Sequence, residues 1–194
     1  MTKERTLILV KPDGLMRGLV GEIVKRFEAR GFKLAALKMT KATASHVKQH
    51  YLSTKQQLEG MGNKTLETMA QHKMDPKKKF GTLDPMKIGR IINQWNVEFL
   101  TSGPVVAMVF QGLFAVDMGR KIVGNTMPAK AEMGTVRGDF SVDSASFANL
   151  KGRSVRNLVH ASGSVPEAKR EIRHWFSKKE LYEYERTDEA LLFS

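Results

Sequence analysis

The chain has no cysteine, so it can form neither disulfide bonds nor thiolate metal sites. No apolar run approaches the roughly 20 residues that a membrane-spanning helix needs. The apolar-rich run near the N-terminus, residues 6–10, is too short for the hydrophobic region of a signal peptide. Neither G-x-G-x-x-G nor G-x-x-x-x-G-K-[ST] is present, so a nucleotide would have to be bound without a glycine-rich phosphate loop. These absences predict a soluble, cytoplasmic protein.

Positive charge is abundant, because 32 lysines and arginines against 20 acidic residues give a formal net charge of +12. Such a charge favours anionic ligands, namely nucleotides, polyphosphates or nucleic acid, but does not choose among them. The length of 194 residues and the hydrophobic fraction of 41% suit a single domain with a proper core. We therefore expect one domain over residues 1–194.

Hydrophobic patterning predicts an ordered alternation of strands and helices. Continuous apolar runs at Thr6–Val10 and Val105–Phe110 predict buried strands, and residues 11–14, which contain Pro-Asp-Gly, predict a turn. Apolar stripes predict helices over 20–27, 43–51, 116–123 and from Pro85, where Asp84 is the N-cap. Residues 32–39 alternate as a half-buried strand. This order favours an α+β fold of the ferredoxin-like, split βαβ class.

Other stretches are less regular. Residues 54–90 are punctuated by glycine and proline, and Leu66, Met69 and Ala70 predict one face of a short helix before Asp84. Residues 125–151 show no period, which predicts a long loop of functional importance. The tail from residue 180 carries three aromatic residues that we expect to dock on the body or on a neighbour: Tyr182, Tyr184 and Phe193. His46 and His50 have metal-ligand spacing, but a solvated helix face is favoured because no third ligand lies near in sequence.

The stretch from Arg156 to Glu171 places a histidine between a strand and a helix. Leu158 and Val159 end a short apolar segment, and His160 opens a turn of small residues. Ser164 and Glu167 then have the spacing of a capping box. A helix N-terminus attracts anions, and an imidazole that is mostly neutral at pH 7 can act as a nucleophile. The same pattern also fits a partly buried histidine that only hydrogen-bonds the turn.

Four segments, taken in order, resemble nucleoside diphosphate kinase: residues 6–28, S-G-P-V-V-A-M-V (102–109), G-T-V-R-G-D-F (134–140) and R-N-L-V-H-A-S-G-S-V (156–165). The resemblance implies a ferredoxin-like fold. It also implies reversible transfer of the γ-phosphoryl group from a nucleoside triphosphate to a nucleoside diphosphate. In the family this is a ping-pong reaction through a phosphohistidine, with Mg²⁺ carried by the nucleotide phosphates. ATP and other nucleotides are the implied partners, and the family forms hexamers or tetramers.

The resemblance also implies roles for individual residues. His160 is the implied nucleophile, and Glu171, together with Ser162, holds and polarises it. Lys11 corresponds to the contact to the transferring phosphate and the sugar hydroxyl, and Tyr51 to a tyrosine lining the site beside the phosphates. The other implied nucleotide contacts are Arg120, Thr126 and Arg137 for the phosphates and Asn157 for the ribose 3′-hydroxyl. The protein itself is expected to supply no metal ligands.

The chain departs from the family pattern in three places. Residues 54–90 lengthen the usual connection, which predicts an insertion, and residues 141–153 lengthen the long loop. The aromatic residue that stacks on the base falls near the insertion, and its candidates here are Phe80, Ile92 and Trp95. Ala161 and Gly163 replace residues usual in the family, but both are small enough for the turn.

Two alternatives remain beside the kinase. A nucleic-acid-binding protein on a kinase-like scaffold would be consistent with the net charge and with a basic cluster in the insertion: Lys73, Lys77, Lys78, Lys79, Lys87 and Arg90. It is not favoured, because the cluster has no interleaved exposed aromatics. An inactive paralogue is disfavoured by the complete set of implied site residues.

Overall fold

A computed structural model describes residues 3–189 and Leu191. The chain divides into two compact units. The first, which we call the sheet unit, comprises Met1–Lys41, Pro104–Ser141 and Asn157–Ser194. The second, the helical unit, comprises Ala42–Gly103 and Val142–Arg156. The expectation of a single domain remains a prediction.

The sheet unit contains four strands in the order β2-β3-β1-β4, with every neighbouring pair antiparallel. Its elements in chain order are β1 (Glu4–Val10), α1 (Pro12–Met16), α2 (Val20–Glu28), β2 (Lys33–Thr40), β3 (Val105–Gly112), α7 (Ala115–Val123), α8 (Val136–Phe140), β4 (Val159–Ala161) and α10 (Val165–Trp175). The predicted α+β, ferredoxin-like fold is confirmed by this sheet with its helices.

The core of the sheet unit explains why the two apolar runs became central strands. β1 and β3 are buried almost throughout, so they need hydrophobic side chains on both faces. Helix α2 packs Ile23 and Phe27 into the same core, where the Phe27 ring stacks on Phe110 at a centroid distance of 4.4 Å. This core fixes β1 beside β4, with Leu9 opposite His160, and so determines where the histidine lies.

Three predictions for the sheet unit were wrong in detail. The expected turn at residues 11–14 is instead the start of α1, because Pro12 occupies the first helical turn with the acidic Asp13 beside it. His160 belongs to β4 rather than to a turn. The loop of residues 125–151 contains α8, a 3₁₀ turn at Pro128–Lys130 and, in the helical unit, a further helix. These elements are too short for any period to show.

The tail docks along the start of β2. The backbone N–H of Tyr182 donates to the Ala35 carbonyl at 2.9 Å, and the Tyr184 hydroxyl donates to Leu34 O at 3.2 Å. The third aromatic residue of the tail prediction, Phe193, lies outside the described residues. Within the described part of the chain, no helix combines the length and apolarity needed to cross a membrane.

The helical unit consists of α3 (Ala44–Tyr51), α4 (Lys55–Gln71), α5 (Pro76–Phe80), α6 (Pro85–Thr101) and α9 (Ala145–Lys151). Asp84 caps α6 as predicted. The helix expected around Leu66, Met69 and Ala70 is present as part of α4, but α4 spans 17 residues and is longer than predicted. Two glycines allow α4 and α6 to pack closely against each other. A Cβ at Gly62 of α4 would lie 1.9 Å from Pro85 O, and one at Gly89 of α6 would lie 1.9 Å from Leu58 O.

The predicted solvated face of α3 is wrong for one of its two histidines. His50 is 1% exposed, whereas His46 is only half-buried. The buried face of this helix is formed by Val47 and His50, which are three residues apart.

Candidate active site

Lys11 directly follows β1 and is hydrogen-bonded both at its backbone N–H and at the end of its side chain. Its backbone N–H donates to Leu158 O at 2.8 Å, and its Nζ donates to Oδ1 of Asn157 at 2.7 Å. The residue is only 8% exposed, so the ammonium group lies within the fold rather than reaching to solvent. The end of the first strand thus carries a fixed positive charge.

Asn157 links this lysine to the loop after α7. Its Nδ2 donates to Thr126 O at 2.9 Å, while its own backbone carbonyl accepts from Nε of Arg137 at 3.1 Å. Thr126 is exposed and takes part in this link through its backbone. Asn157 therefore lies beside Lys11 with both of its polar side-chain atoms bonded, and Thr126 is joined to Lys11 only through Asn157.

Arg137 is a buried cation whose guanidinium donates to three backbone carbonyls. Besides Asn157 O, it reaches Gly124 O and Val159 O, each at 2.7 Å. These bonds use three of the five N–H groups of a guanidinium. Arg137 therefore ties the residues after α7 to the start of β4.

Arg120, by contrast, is an exposed residue of α7. A Cβ placed on Gly163 would lie 3.7 Å from its Nη1, so this guanidinium lies over the turn that follows β4. The charge of Arg120 also contributes to lowering the pKa of Arg137. The sheet unit thus has three cationic side chains around the β4 end.

His160 contacts a buried carboxylate behind it. Its Nε2 lies 3.0 Å from Oε2 of Glu171, a residue of α10 that is 1% exposed. The Ser162 hydroxyl donates to the same oxygen at 2.6 Å and accepts from the Leu7 N–H at 3.3 Å. The three residues form one chain of hydrogen bonds attached to β1, as a carboxylate that orients an imidazole requires.

Burial and neighbouring cations alter the pKa values of this group. Burial, followed by the charge of Lys11, lowers the pKa of His160 to about 3. Burial, followed by the charge of Arg137, lowers the pKa of Lys11 to about 8, although Asp13 opposes the shift. Burial, followed by the charge of Arg120, lowers the pKa of Arg137 to about 10. At neutral pH the imidazole is therefore neutral, as a nucleophile must be, and the two buried side chains are cationic.

The turn after β4 shows one half of the predicted capping box. The Ser164 side chain accepts the N–H of Glu167 at 3.3 Å and begins α10. The Glu167 carboxylate accepts the Gly163 N–H at 2.9 Å, one residue before the cap. This places the histidine strand directly before a helix N-terminus.

The remaining predicted residues belong to the helical unit. Tyr51 is the last residue of α3 and half-buried, with its ring 5.1 Å from that of His50. Two candidates for the base contact, Phe80 and Trp95, pack against each other at 5.8 Å, and Ile92 lies on the same helix as Trp95.

Sequence reasoning missed Asp13. Its carboxylate is buried and accepts the Leu158 N–H at 3.0 Å, across 145 residues of chain. The signal was an acidic residue directly after Lys-Pro at the end of a buried strand, which was interpreted only as part of a turn.

The arrangement has defined chemical abilities. A neutral imidazole with a carboxylate behind one nitrogen can attack an electrophile through the other nitrogen. Cationic side chains beside it can stabilise the charge on phosphate oxygens during transfer.

Comparison with known proteins agrees with this chemistry. The family model described as nucleoside diphosphate kinase matches residues 4–74 and 86–181. A nucleoside diphosphate kinase of Pyrobaculum aerophilum is 49% identical over 183 residues, covering 94% of this chain and 100% of that protein. The crystal structure of an NDP kinase from that organism superposes with a TM-score of 0.91 at 47% identity, covering 94% of this chain and 100% of the other.

A second solved structure is a transition-state mimic of nucleoside-diphosphate kinase from Borrelia burgdorferi with bound vanadate and ADP. It has a TM-score of 0.78 and 34% identity, covering 97% of this chain and 96% of that one. The family model leaves residues 75–85 unmatched, within the stretch that was predicted as an insertion.

Proposed function

This chain belongs to the nucleoside diphosphate kinase family, whose enzymes transfer a phosphoryl group between nucleotides, and from that premise we propose that His160 carries the group. The observation that carries the proposal is the contact of His160 Nε2 with Glu171 Oε2 at 3.0 Å. A carboxylate oxygen only accepts, so Nε2 carries the proton and the lone pair resides on Nδ1. Nδ1 is therefore the nucleophilic atom.

The reaction follows from that tautomer. The Nδ1 lone pair forms a bond to the γ-phosphorus, and the bond from that phosphorus to the bridging oxygen breaks, so the nucleoside diphosphate leaves with the electron pair. A second nucleoside diphosphate then attacks the phosphohistidine with a terminal oxygen and restores the neutral imidazole. The protein is a phosphoprotein between these half-reactions, which is the ping-pong scheme. One site serves donor and acceptor in turn.

The cations around His160 bind and neutralise the phosphates. Lys11, Arg120 and Arg137 offer positive charge around β4, and Thr126 is joined to Lys11 through Asn157. The Asn157 amide, already bonded through Oδ1 and Nδ2, retains a further donor and a further lone pair for the ribose 3′-hydroxyl. Contacts to phosphate and sugar alone would make the enzyme indifferent to the base.

Two further roles concern the helical unit. Tyr51 would line the site beside the phosphates, and Phe80, Ile92 or Trp95 would contact the base. These roles rest on the family resemblance, and substitution of each by alanine with KM measured for four nucleoside diphosphates would test them. Substitution of the residue that stacks on the base should raise KM for all four nucleoside diphosphates.

Mg²⁺ would reach the site on the nucleotide. Three carboxylates of the sheet unit near His160 and its cations are already hydrogen-bonded: Asp13 to Leu158 N–H, Glu167 to Gly163 N–H, and Glu171 to Ser162 and His160. A hard cation prefers oxygen ligands, and phosphate oxygens supply them. Bound there, Mg²⁺ would neutralise phosphate charge, while Lys11 and the arginines orient the same group.

Assembly and compartment complete the proposal. We expect a cytoplasmic homo-oligomer, hexamer or tetramer, which the mass in solution would distinguish. Nucleic acid is less favoured as a partner than nucleotides. The basic cluster that would bind it includes Lys79, whose Nζ already donates to Leu150 O at 2.9 Å. Binding to nucleic acid would weaken steeply as salt rises.

The decisive experiment is incubation with γ-labelled ATP and Mg²⁺ without an acceptor. We expect stoichiometric labelling that is acid-labile, alkali-stable and discharged by any nucleoside diphosphate. His160→Ala should abolish the label, whereas His72→Ala, which alters an exposed histidine at the end of α4, should retain it. Labelling that persists in His160→Ala contradicts the assignment.

A further inference from the structure

Asp13 lies at the junction between α1 and the strand that carries His160. Its Oδ1 accepts the N–H of Gly14 and its Oδ2 accepts the N–H of Leu158, both at 3.0 Å. The residue is only 6% exposed. Both carboxylate oxygens are thus committed to backbone groups, one on each side of the junction.

The Leu158 backbone that Asp13 holds is in an unfavourable conformation. Leu158 has a φ of 67°, in the left-handed region that residues with a Cβ avoid. The N–H of Val159 donates to Asn157 O at 2.7 Å, which closes a three-residue turn around Leu158. The turn directs Asn157 to one side and begins β4 on the other, so its geometry sets the position of both the sugar contact and His160.

Neighbouring groups hold the same turn from the other side. The Leu158 carbonyl accepts the Lys11 N–H at 2.8 Å, and a Cβ at Gly14 would lie 2.9 Å from that oxygen. The peptide groups of Leu158 are therefore bonded on both sides to the segment that follows β1. A shift of Asp13 would move Lys11 and the turn relative to each other.

Asp13 also provides negative charge next to the phosphate-binding cations. Its charge raises the pKa of Lys11 and of Arg137, against the burial that lowers both. The charged groups that act on the Lys11 ammonium include Asp13 from α1, which raises its pKa, and Arg137 from α8, which lowers it. The charge of Lys11 in turn acts on His160 in β4. The carboxylate thus favours the protonated form of Lys11, although burial and Arg137 together lower its pKa.

We propose that Asp13 is a positioning residue, which holds the left-handed Leu158 turn through one oxygen and balances the charge of Lys11. The proposal rests on the function proposed above, because it acts through Lys11, Asn157 and His160. It predicts two separable effects, one on the geometry of transfer and one on the protonation of Lys11.

Two substitutions separate these effects. Asp13→Asn removes the charge and gives up the bond to the Gly14 N–H, while its single amide oxygen can still accept the Leu158 N–H. Lys11 should then lose its proton at lower pH, and the alkaline limb of kcat/KM should move down by about one pH unit. Asp13→Ala also removes the bond to Leu158, and misplacement of the histidine should lower kcat by about 10²-fold. The kcat of Asp13→Asn should fall less than that of Asp13→Ala.

The matched control is Asp139→Asn. Asp139 also accepts a backbone N–H, that of Gly134 at 2.7 Å, and pairs with an arginine, Arg26, but it has no bond to the Leu158 turn. The alkaline limb of kcat/KM for Asp139→Asn should coincide with that of the wild type. If Asp13→Ala does not fold, the limb of the isosteric Asp13→Asn decides the question.

The outcomes are distinguishable. A wild type without acid-labile label on His160 overturns the proposed function, and this proposal with it. If the wild type is labelled normally but the alkaline limb of kcat/KM has not moved in Asp13→Asn, only the proposed role of Asp13 is overturned. Lower stability of Asp13→Ala with unchanged kcat would also overturn it, since that is the result of a purely structural residue.

Discussion

His160 Nε2 and Glu171 Oε2 lie 3.0 Å apart, and the same carboxylate oxygen accepts the Ser162 hydroxyl at 2.6 Å. Because Ser162 also bonds Leu7 of β1, the carboxylate is fixed to the centre of the sheet rather than to α10 alone. The imidazole therefore has its tautomer and its orientation set before any nucleotide binds. Pre-set geometry of this kind lowers the barrier to transfer, since little has to reorganise during the reaction.

Glu171→Gln should slow phosphoryl transfer to His160 by about 10²-fold. A glutamine can donate its amide N–H to Nε2, which then becomes an acceptor and leaves the proton on Nδ1, the atom that has to attack. Single-turnover labelling with γ-labelled ATP measures the rate directly. Glu167→Gln is the control, because Glu167 bonds Gly163 N–H rather than the imidazole, and an equal loss in both variants would contradict the tautomer argument.

The sequence predicted those parts of the fold that depend on long apolar runs. Residues 6–10 and 105–110 are buried on both faces, so their hydrophobicity alone indicated strands, and the Asp84 cap marked the start of α6. The start of α10 was also predictable, because Ser164 caps that helix through a local bond to the Glu167 N–H.

The parts that sequence reasoning missed depend on short helices or on distant contacts. Helices α8 and α9 have five and seven residues, too few for a period, although Thr135 and Ser144 cap them and were the available signal. Gly62 argued against a long α4, yet it is where α4 meets Pro85 O. Asp13 acts on a residue 145 positions away, which no local pattern reports.

The His160 imidazole should stay neutral down to pH 5. Its pKa is lowered to about 3 by burial and by Lys11, so the ring gains no proton in the range where an ordinary histidine titrates. Nuclear magnetic resonance of histidine-labelled protein would follow this, with the signal assigned by its loss in His160→Gln. A His160 signal that titrates with a midpoint near 6.5 would contradict the expected effect of burial.

The alkaline limb of kcat/KM should fall near pH 8 and report Lys11. Its pKa is lowered to about 8, so the side chain is positive below that pH and loses its charge above it, which weakens phosphate binding. Because kcat/KM reports groups of the free enzyme, the limb should appear there. Lys11→Arg should abolish the limb, since a guanidinium keeps its proton; a limb unchanged in that variant assigns it to another group.

Arg137→Lys should lower both stability and activity. The buried guanidinium donates to the carbonyls of Gly124, Asn157 and Val159, and a lysine cannot reach all three with one ammonium group. Asn157 O still accepts the Val159 N–H, so the loss falls on the carbonyls of Gly124 and Val159. Each of these left without a donor costs about 1–3 kcal/mol of unfolding free energy, which urea denaturation would measure. Arg30→Lys alters an exposed arginine and should change stability by less than about 0.5 kcal/mol. Equal stability of both variants would mean that the three bonds contribute little.

Gly89→Ala should destabilise the helical unit, because the added Cβ would lie 1.9 Å from Leu58 O and force α4 and α6 apart. Overpacking of this kind typically costs about 1–3 kcal/mol. Gly60→Ala is the matched control within α4, since a Cβ there meets nothing within 4 Å. That variant should be more stable by about 0.5–1 kcal/mol, because alanine has the higher helix propensity. Thermal and urea unfolding measure both, and a Gly89→Ala protein as stable as Gly60→Ala would show that α4 and α6 do not need this close approach.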